Sequence, residues 1–219
     1  MKKKMLFIGS LMVCGILFFT ACETTDLTAP VISITGNGEI TIDLGDVYTD
    51  QGATAQDNKD GNITSHIVVT GIPQNTYLCG TYNIKYTVTD KAGNQAEATR
   101  VLKIKSDKLA GTYSVVETKF QATVRQSSDT YNKIYIDNFG NYTTSSSNPL
   151  TMEALVDGTH INLVTQTFTD NNSTSVTLSG SGEYTGPYNG LNFKITRFDY
   201  VEHTPGNTDT TYHAVYSKQ

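Results

Sequence analysis

The chain of 219 residues carries 16 basic and 21 acidic side chains, a formal charge of −5, with 13 tyrosines and no tryptophan. That balance argues against nucleic acid, which needs a basic stripe or patch, and the length allows one large or two modest domains. Threonine, serine, asparagine and glycine are abundant and no long helical period appears, so the sequence reads as an all-β chain with many turns.

The first element is MKKKMLFIGSLMVCGILFFTAC. Lys2, Lys3 and Lys4 precede an apolar run from Met5 to Phe19, and small Ala21 precedes Cys22, the order of a secretory signal over residues 1–21. As a membrane span the run is at or below the ~17-residue minimum, and Gly9, Ser10 and Gly15 interrupt it. Phe-Thr-Ala-Cys resembles the lipobox of bacterial lipoproteins, with Phe19 where that family prefers leucine. The resemblance implies that Cys22 is the lipid attachment point and that residues 22–28 form a lipidated tether; two or more acyl chains anchor stably where one does not. Glu23 stands where an inner-membrane retention signal often has aspartate, so the expected address is the outer membrane, on either face. Loss of three lysines with the signal leaves 13 basic against 21 acidic residues, or −8, which leaves anchoring to the acyl chains rather than to anionic headgroups. Cys14 departs with the signal and Cys22 takes lipid, so Cys79 in YLCGTY has no disulfide partner and reads as a small apolar residue.

From Pro30 short strands follow: VISIT (31–35), EITIDL (39–44), HIVVTG (66–71), then GTYNIKYTVTD, in which Tyr82, Ile84, Tyr86 and Val88 alternate with polar residues. DKAGN (90–94) turns the chain, and AEATRVLKIK returns with Ala96, Ala98, Leu102 and Ile104 on its inner face. This spacing indicates a sandwich. The order APVISITG, LGDVYTDQGATAQDNKDGNIT, GTYNIKYTVTDKAGNQAEATR resembles the bacterial Ig-like domain of cell-surface proteins and some pesticidal crystal proteins, over residues 29–105. The resemblance implies a spacer or adhesive module, and fold alone does not fix function.

Within it, DNKDGNIT offers Asp57, Asp60 and Asn62 as hard oxygen ligands. An EF-hand loop needs such side chains at its first, third and fifth places with glycine sixth; here Lys59 takes the third and Gly61 the fifth. A turn in which Asp and Asn bond their own backbone explains the stretch, so no metal and no cofactor are assigned.

After KIKSDK, eight strand candidates follow: LAGTYSVVET, FQATVRQ, NKIYIDNFG, TMEALVDGTHINLV, TQTFTD, SVTLSGSGEY, GLNFKITRFDYVEH and TTYHAVYSK. They predict an antiparallel meander closed into a barrel over 109–219, with a second β-sandwich as the alternative. LAGTY, KIYIDNFGNY, VDGTHINL, SGSGEYTG and YHAVYSK are similar to the C-terminal lipocalin-like domain of surface lipoproteins from glycan-foraging Gram-negative bacteria. That resemblance implies location and context rather than chemistry.

No HExxH, GxSxG, phosphate loop or paired-cysteine spacing occurs, so no catalytic residue is assigned. His203 and His213 flank TPGNTDT and could face one another across a hairpin. The expected function is a non-enzymatic surface binding accessory that captures glycan, with a surface transporter complex as a further partner. The alternative is a structural or adhesive protein with no small-molecule site, and a hydrolase ranks last. The expected ligand site joins two loops: EYTGPYNGLNF, presenting Tyr184 and Tyr188, and IDNFGNY, presenting Phe139 and Tyr142 beside Asp137 and Asn138. Flat rings with carboxylate and amide groups suit a sugar.

Overall fold

The computed structural model describes residues 25–186 and 193–219. Cys22 and Tyr188 lie outside them.

The N-terminal part is a two-sheet sandwich. β1 (Val31–Ile34), β2 (Glu39–Ile42), β3 (Ala53–Asp57), β4 (Gly61–Asn62), β5 (Val68–Thr70), β6 (Gly80–Thr89) and β7 (Gln95–Ile104) follow in order. One sheet is β1-β3-β4 and the other β2-β7-β6-β5, with β2 pairing in parallel to β7. The expected alternation holds along β6, where Ile84, Tyr86 and Val88 are buried. On β7 the inward phase also includes Arg100, which the apolar reading passed over and which is fully buried.

The C-terminal part is a closed antiparallel barrel of eight strands. These are β8 (Gly111–Val115), β9 (Gln121–Gln126), β10 (Lys133–Asp137), β11 (Thr151–Asp157), β12 (His160–Thr169), β13 (Ser175–Thr185), β14 (Lys194–His203) and β15 (Thr210–Lys218). Each pairs with the next, and β15 closes on β8 through Tyr216 opposite Val115. The second-sandwich alternative is therefore set aside. One strand boundary differs from expectation. TMEALVDGTHINLV divides at its VDGTH connection, where Gly158 (φ +57°) turns the chain back. Its second half runs on into TQTFT as β12, across a register shift between Leu163 and Gln166 that obscured the continuity. A second irregularity, between Glu183 and Tyr184 on β13, falls opposite Arg197 and Ile195.

Apolar residues fill the inside: Ile134, Ile136, Met152, Val156, Ile161, Leu178, Ile195 and Phe198 are buried. The intervening positions carry Arg125, Lys133, Asp137, Glu153, Glu183, Arg197 and Asp199, which pair as surface ion pairs. A transmembrane barrel has the opposite pattern, apolar outside and polar within. No helix among the described residues is long and apolar enough to cross a membrane.

Strand alternation gives the barrel two unlike ends. The base faces the sandwich. There Ser106 N donates to Tyr131 O at 3.0 Å, Gly158 N to Cys79 O at 3.0 Å, and the Tyr77 and Phe193 rings lie 6.0 Å apart. The far end carries the β8–β9, β10–β11, β12–β13 and β14–β15 connections.

Candidate ligand site at the far end of the barrel

Among the described residues, those singled out from sequence do not share one site. Tyr184 ends β13 at the base, 3% exposed. Its hydroxyl accepts from Cys79 N at 2.9 Å and donates to Gly158 O at 2.6 Å, pinning barrel to sandwich. Burial pushes its phenol well above the ordinary range. Phe139, also expected on the surface, is completely buried and packs edge-on against Phe198 at 5.7 Å and Tyr200 at 4.9 Å. Asp137 lies on the outer wall, accepting from Arg125 Nε at 3.0 Å and Thr151 Oγ1 at 2.8 Å. Asn138 is a left-handed turn residue (φ 60°) whose Nδ2 donates to Gln121 O at 2.7 Å. Of the described members of this set, Tyr142 lines a cavity at the far end of the barrel.

That cavity opens at the far end and holds about 440 Å³. Val115, Glu117, Thr118 and Phe120 come from β8 and its hairpin, Gly140, Asn141 and Tyr142 from the β10–β11 connection. Tyr200 and Glu202 come from the end of β14, and Tyr212, His213 and Ala214 from the start of β15. The strand register explains the grouping. Tyr200 and Tyr212 are cross-strand partners, so their rings stack at 5.0 Å and 18° on the inward face. Two residues further along β14, Glu202 keeps the same face and its carboxylate accepts from the Tyr142 hydroxyl. The Tyr142 ring packs edge-on against Phe168 at 5.7 Å. Gly140 (φ +62°) is needed where it is, since a Cβ there would meet the Tyr142 ring at 2.6 Å and the Tyr200 hydroxyl at 3.2 Å.

Electrostatically the cavity is acidic: its lining has Glu117 and Glu202 and, among the described residues, no lysine or arginine. Burial pushes the Tyr200 phenol up to about 12 and, with the hydrogen bond to Glu202, raises Tyr142 further. The tyrosines therefore stay protonated and can donate as well as accept. Deeper in the barrel the Tyr216 hydroxyl is buried without a hydrogen-bond partner.

Three other readings resolve here. Cys79 is buried at the junction, donating from Sγ to Ile104 O at 3.1 Å, and burial pushes its thiol up to about 12, the inert apolar residue expected. His203 and His213 are not partners: His203 Nδ1 meets Asp209 at 2.6 Å and His213 Nδ1 meets Asp199 at 2.8 Å. Asp57, Asp60 and Asn62 also diverge. Asp57 Oδ2 accepts from the Lys59 and Asp60 amides at 2.8 and 2.9 Å, Asp60 turns to Lys91 at 3.2 Å, and Asn62 Oδ1 accepts from Thr64 N at 3.0 Å.

The cavity-lining residues missed from sequence are Phe120, Tyr200, Glu202 and Tyr212. The available signal was the period-two phase of RFDYVEH and TTYHAVYSK about their turn, which sets Tyr200, Glu202, Tyr212 and Ala214 on one face.

Compared with known proteins, residues 32–104 match the family model for the bacterial surface protein Ig-like domain. No curated protein matches the chain. Among solved structures, a lipoprotein from Bacteroides thetaiotaomicron aligns at TM-score 0.35 and 15% identity, over 87% of this chain and 100% of that one. The M60 catalytic domain of Clostridium perfringens ZmpB with its two CBM51 domains aligns at TM-score 0.28 and 16% identity, over 86% of this chain but 21% of that one. Scores this low carry no functional argument.

Proposed function

We propose that the protein is a lipid-anchored surface binding accessory whose barrel mouth takes a neutral glycan without cleaving it. The cavity of about 440 Å³ carries this reading. Ligand sites are concave, largely aromatic or apolar, and set with a few placed polar groups. Here Phe120, Tyr142 and Tyr212, the last stacked on Tyr200, set aromatic surface against the C–H side of a sugar, while Glu117 and Glu202 accept from its hydroxyls. The two carboxylates oppose an anionic ligand, hence a neutral one. The family match over residues 32–104 supports a cell-surface location.

The test is a calorimetric titration of a panel of neutral oligosaccharides into the wild type and two variants. Tyr212 is 38% exposed at the rim, so Tyr212→Ala should weaken binding several-fold with the melting temperature nearly unchanged, and Glu202→Gln should weaken it without altering the shape of the cavity. No binding by the wild type, or equal binding by all three, sinks the site. Release of reducing ends by the wild type, lost in Glu202→Gln, would make the protein a hydrolase instead.

The anchor has its own test. Expressed in full, Cys22→Ser should leave the protein soluble, whereas the wild type stays with membranes after carbonate washing. Continued membrane retention of the variant would contradict a lipid on Cys22.

A further inference from the structure

Three carboxylates from distant parts of the chain meet at one end of the sandwich. Asp26 lies in the tether four positions after Cys22, Asp57 ends β3, and Asp90 opens the turn after β6. One oxygen from each lies within 4.8 Å of the others. Asp57 and Asp90 are only 9% and 7% exposed.

The hydrogen bonding around them is uneven. Asp90 is satisfied at both oxygens, accepting from Asn94 N and from Asn94 Nδ2 at 2.8 Å each. The same Nδ2 reaches the carbonyls of Asp26 at 3.1 Å and Thr28 at 3.3 Å, which fastens the tether onto the turn. Asp26 Oδ1 accepts from Thr28 N at 3.1 Å. Asp57 spends Oδ2 on the two amides of its own turn, and its Oδ1 is left buried with no hydrogen-bond partner. A buried carboxylate oxygen without a donor is costly, and native structures supply one from protein, water or an ion.

We propose that Asp26, Asp57 and Asp90 bind a divalent cation of the calcium kind, with the buried, unpartnered Asp57 Oδ1 as one of its ligands. All three donors are hard carboxylate oxygens and none is a histidine or cysteine, which selects calcium or magnesium over zinc or copper. Calcium tolerates an irregular shell of six to eight oxygens completed by water, whereas magnesium demands a near-ideal octahedron. The amides of Asp60 and Lys59 that bond Asp57 Oδ2 also hold this carboxyl below its ordinary pKa. This set is not the loop that fails the EF-hand pattern. Its members come from three segments, so a search for ligands within one loop does not find it. Because one ligand is on the tether, the ion would tie the membrane-proximal chain to the sandwich and fix the angle at which the protein leaves its anchor.

Calcium ion alone is the probe. Titrated into the metal-stripped full chain, it should bind with a dissociation constant on the order of 10⁻⁴ to 10⁻³ M, as in extracellular modules, and raise the melting temperature. Asp26→Asn sits on the partly exposed tether and leaves the sandwich core untouched. It should weaken binding about tenfold or more, as removal of one charged ligand does, and most of the thermal shift should go with it. Asp57→Asn keeps the oxygen that the Lys59 and Asp60 amides require and should do the same. Absence of binding by the wild type up to about 10 mM calcium, ten times the weak end of that range, overturns the proposal. So does an undiminished calcium response in Asp26→Asn, which decides the matter even if Asp57→Asn does not fold.

Discussion

Arg100 is a guanidinium with no exposure to water, held wholly by oxygen. It bonds the Asp50 carboxylate and the carbonyl of Thr35, donates from Nε to Asn37 O at 3.1 Å, and lies 5.7 Å over the Tyr86 ring. Tyr86 and Tyr48 both donate their hydroxyls to Asp50 Oδ1, at 2.7 and 2.9 Å. Burial acts to raise the Asp50 carboxyl, but the two phenols and the Arg100 charge outweigh it and hold it below the ordinary value. Replacing one partner of a buried pair strands the other charge, at roughly 3–5 kcal/mol, so Asp50→Asn should lower stability by that order at pH 7. The sign with pH follows from linkage. A depressed carboxyl contributes fully above its unfolded value of about 3.9 and loses that contribution as pH falls through the lower folded value. The wild type should therefore hold its melting temperature from pH 7 to about 4 and lose it below, and Asp50→Asn should fall less steeply in the acid range. Equal acid slopes in thermal unfolding would show that Asp50 does not carry this dependence.

At the scale of the element, period-two alternation was legible wherever a strand was long and one face apolar. β6 could be read residue by residue, β7 likewise apart from Arg100, and the eightfold meander could be read from the succession of strand candidates. Arg100 was missed on β7 because the alternation was scored by hydrophobicity, and a buried ion pair keeps the phase while breaking the composition. The ligand site went wrong for a different reason. Grouping loops by tyrosine, asparagine and glycine content ignores connectivity. In an antiparallel barrel successive connections alternate ends, so the loop after the third strand and the loop after the sixth must be at opposite ends. The β10–β11 and β13–β14 connections are those two. Tyr142 therefore belongs to the far mouth and Tyr184 to the base, where its hydroxyl satisfies Cys79 N and Gly158 O. The acidic cluster of Asp26, Asp57 and Asp90 was not legible, since its members are neighbours only once the tether lies along the sandwich.

For the whole molecule the decisive question is what crosses the joint between sandwich and barrel. Strand pairing stays within each part: the barrel closes on itself, and an isolated bridge between Cys79 and Gly158 spans the gap. Polar ties among the described residues include Gly158 N to Cys79 O and Ser106 N to Tyr131 O at 3.0 Å each, Leu44 N to Asp107 Oδ1 at 3.3 Å, the Thr81 and Tyr131 hydroxyls, the Lys108–Asp46 ion pair at 3.4 Å, and the Tyr184 hydroxyl. Apolar packing is more extensive, because Leu44, Cys79, Ile104, Leu109 and Phe193 belong to one continuous buried cluster. Gly45 (φ +83°) is fitted to it, since a Cβ there would stand 2.7 Å from the Phe193 ring. Complete ladders on either side favour separate folding, while the shared apolar joint favours mutual stabilisation. Expressed apart, residues 29–105 and 109–219 should each give a soluble β-rich domain by circular dichroism. Each should melt below the intact chain, because separation exposes the Phe193 and Cys79 sides of the joint to water. If neither piece folds while the whole does, the joint is an indispensable part of a single core. If each melts as it does in the whole, the apolar joint contributes nothing and the two parts are linked only by the chain.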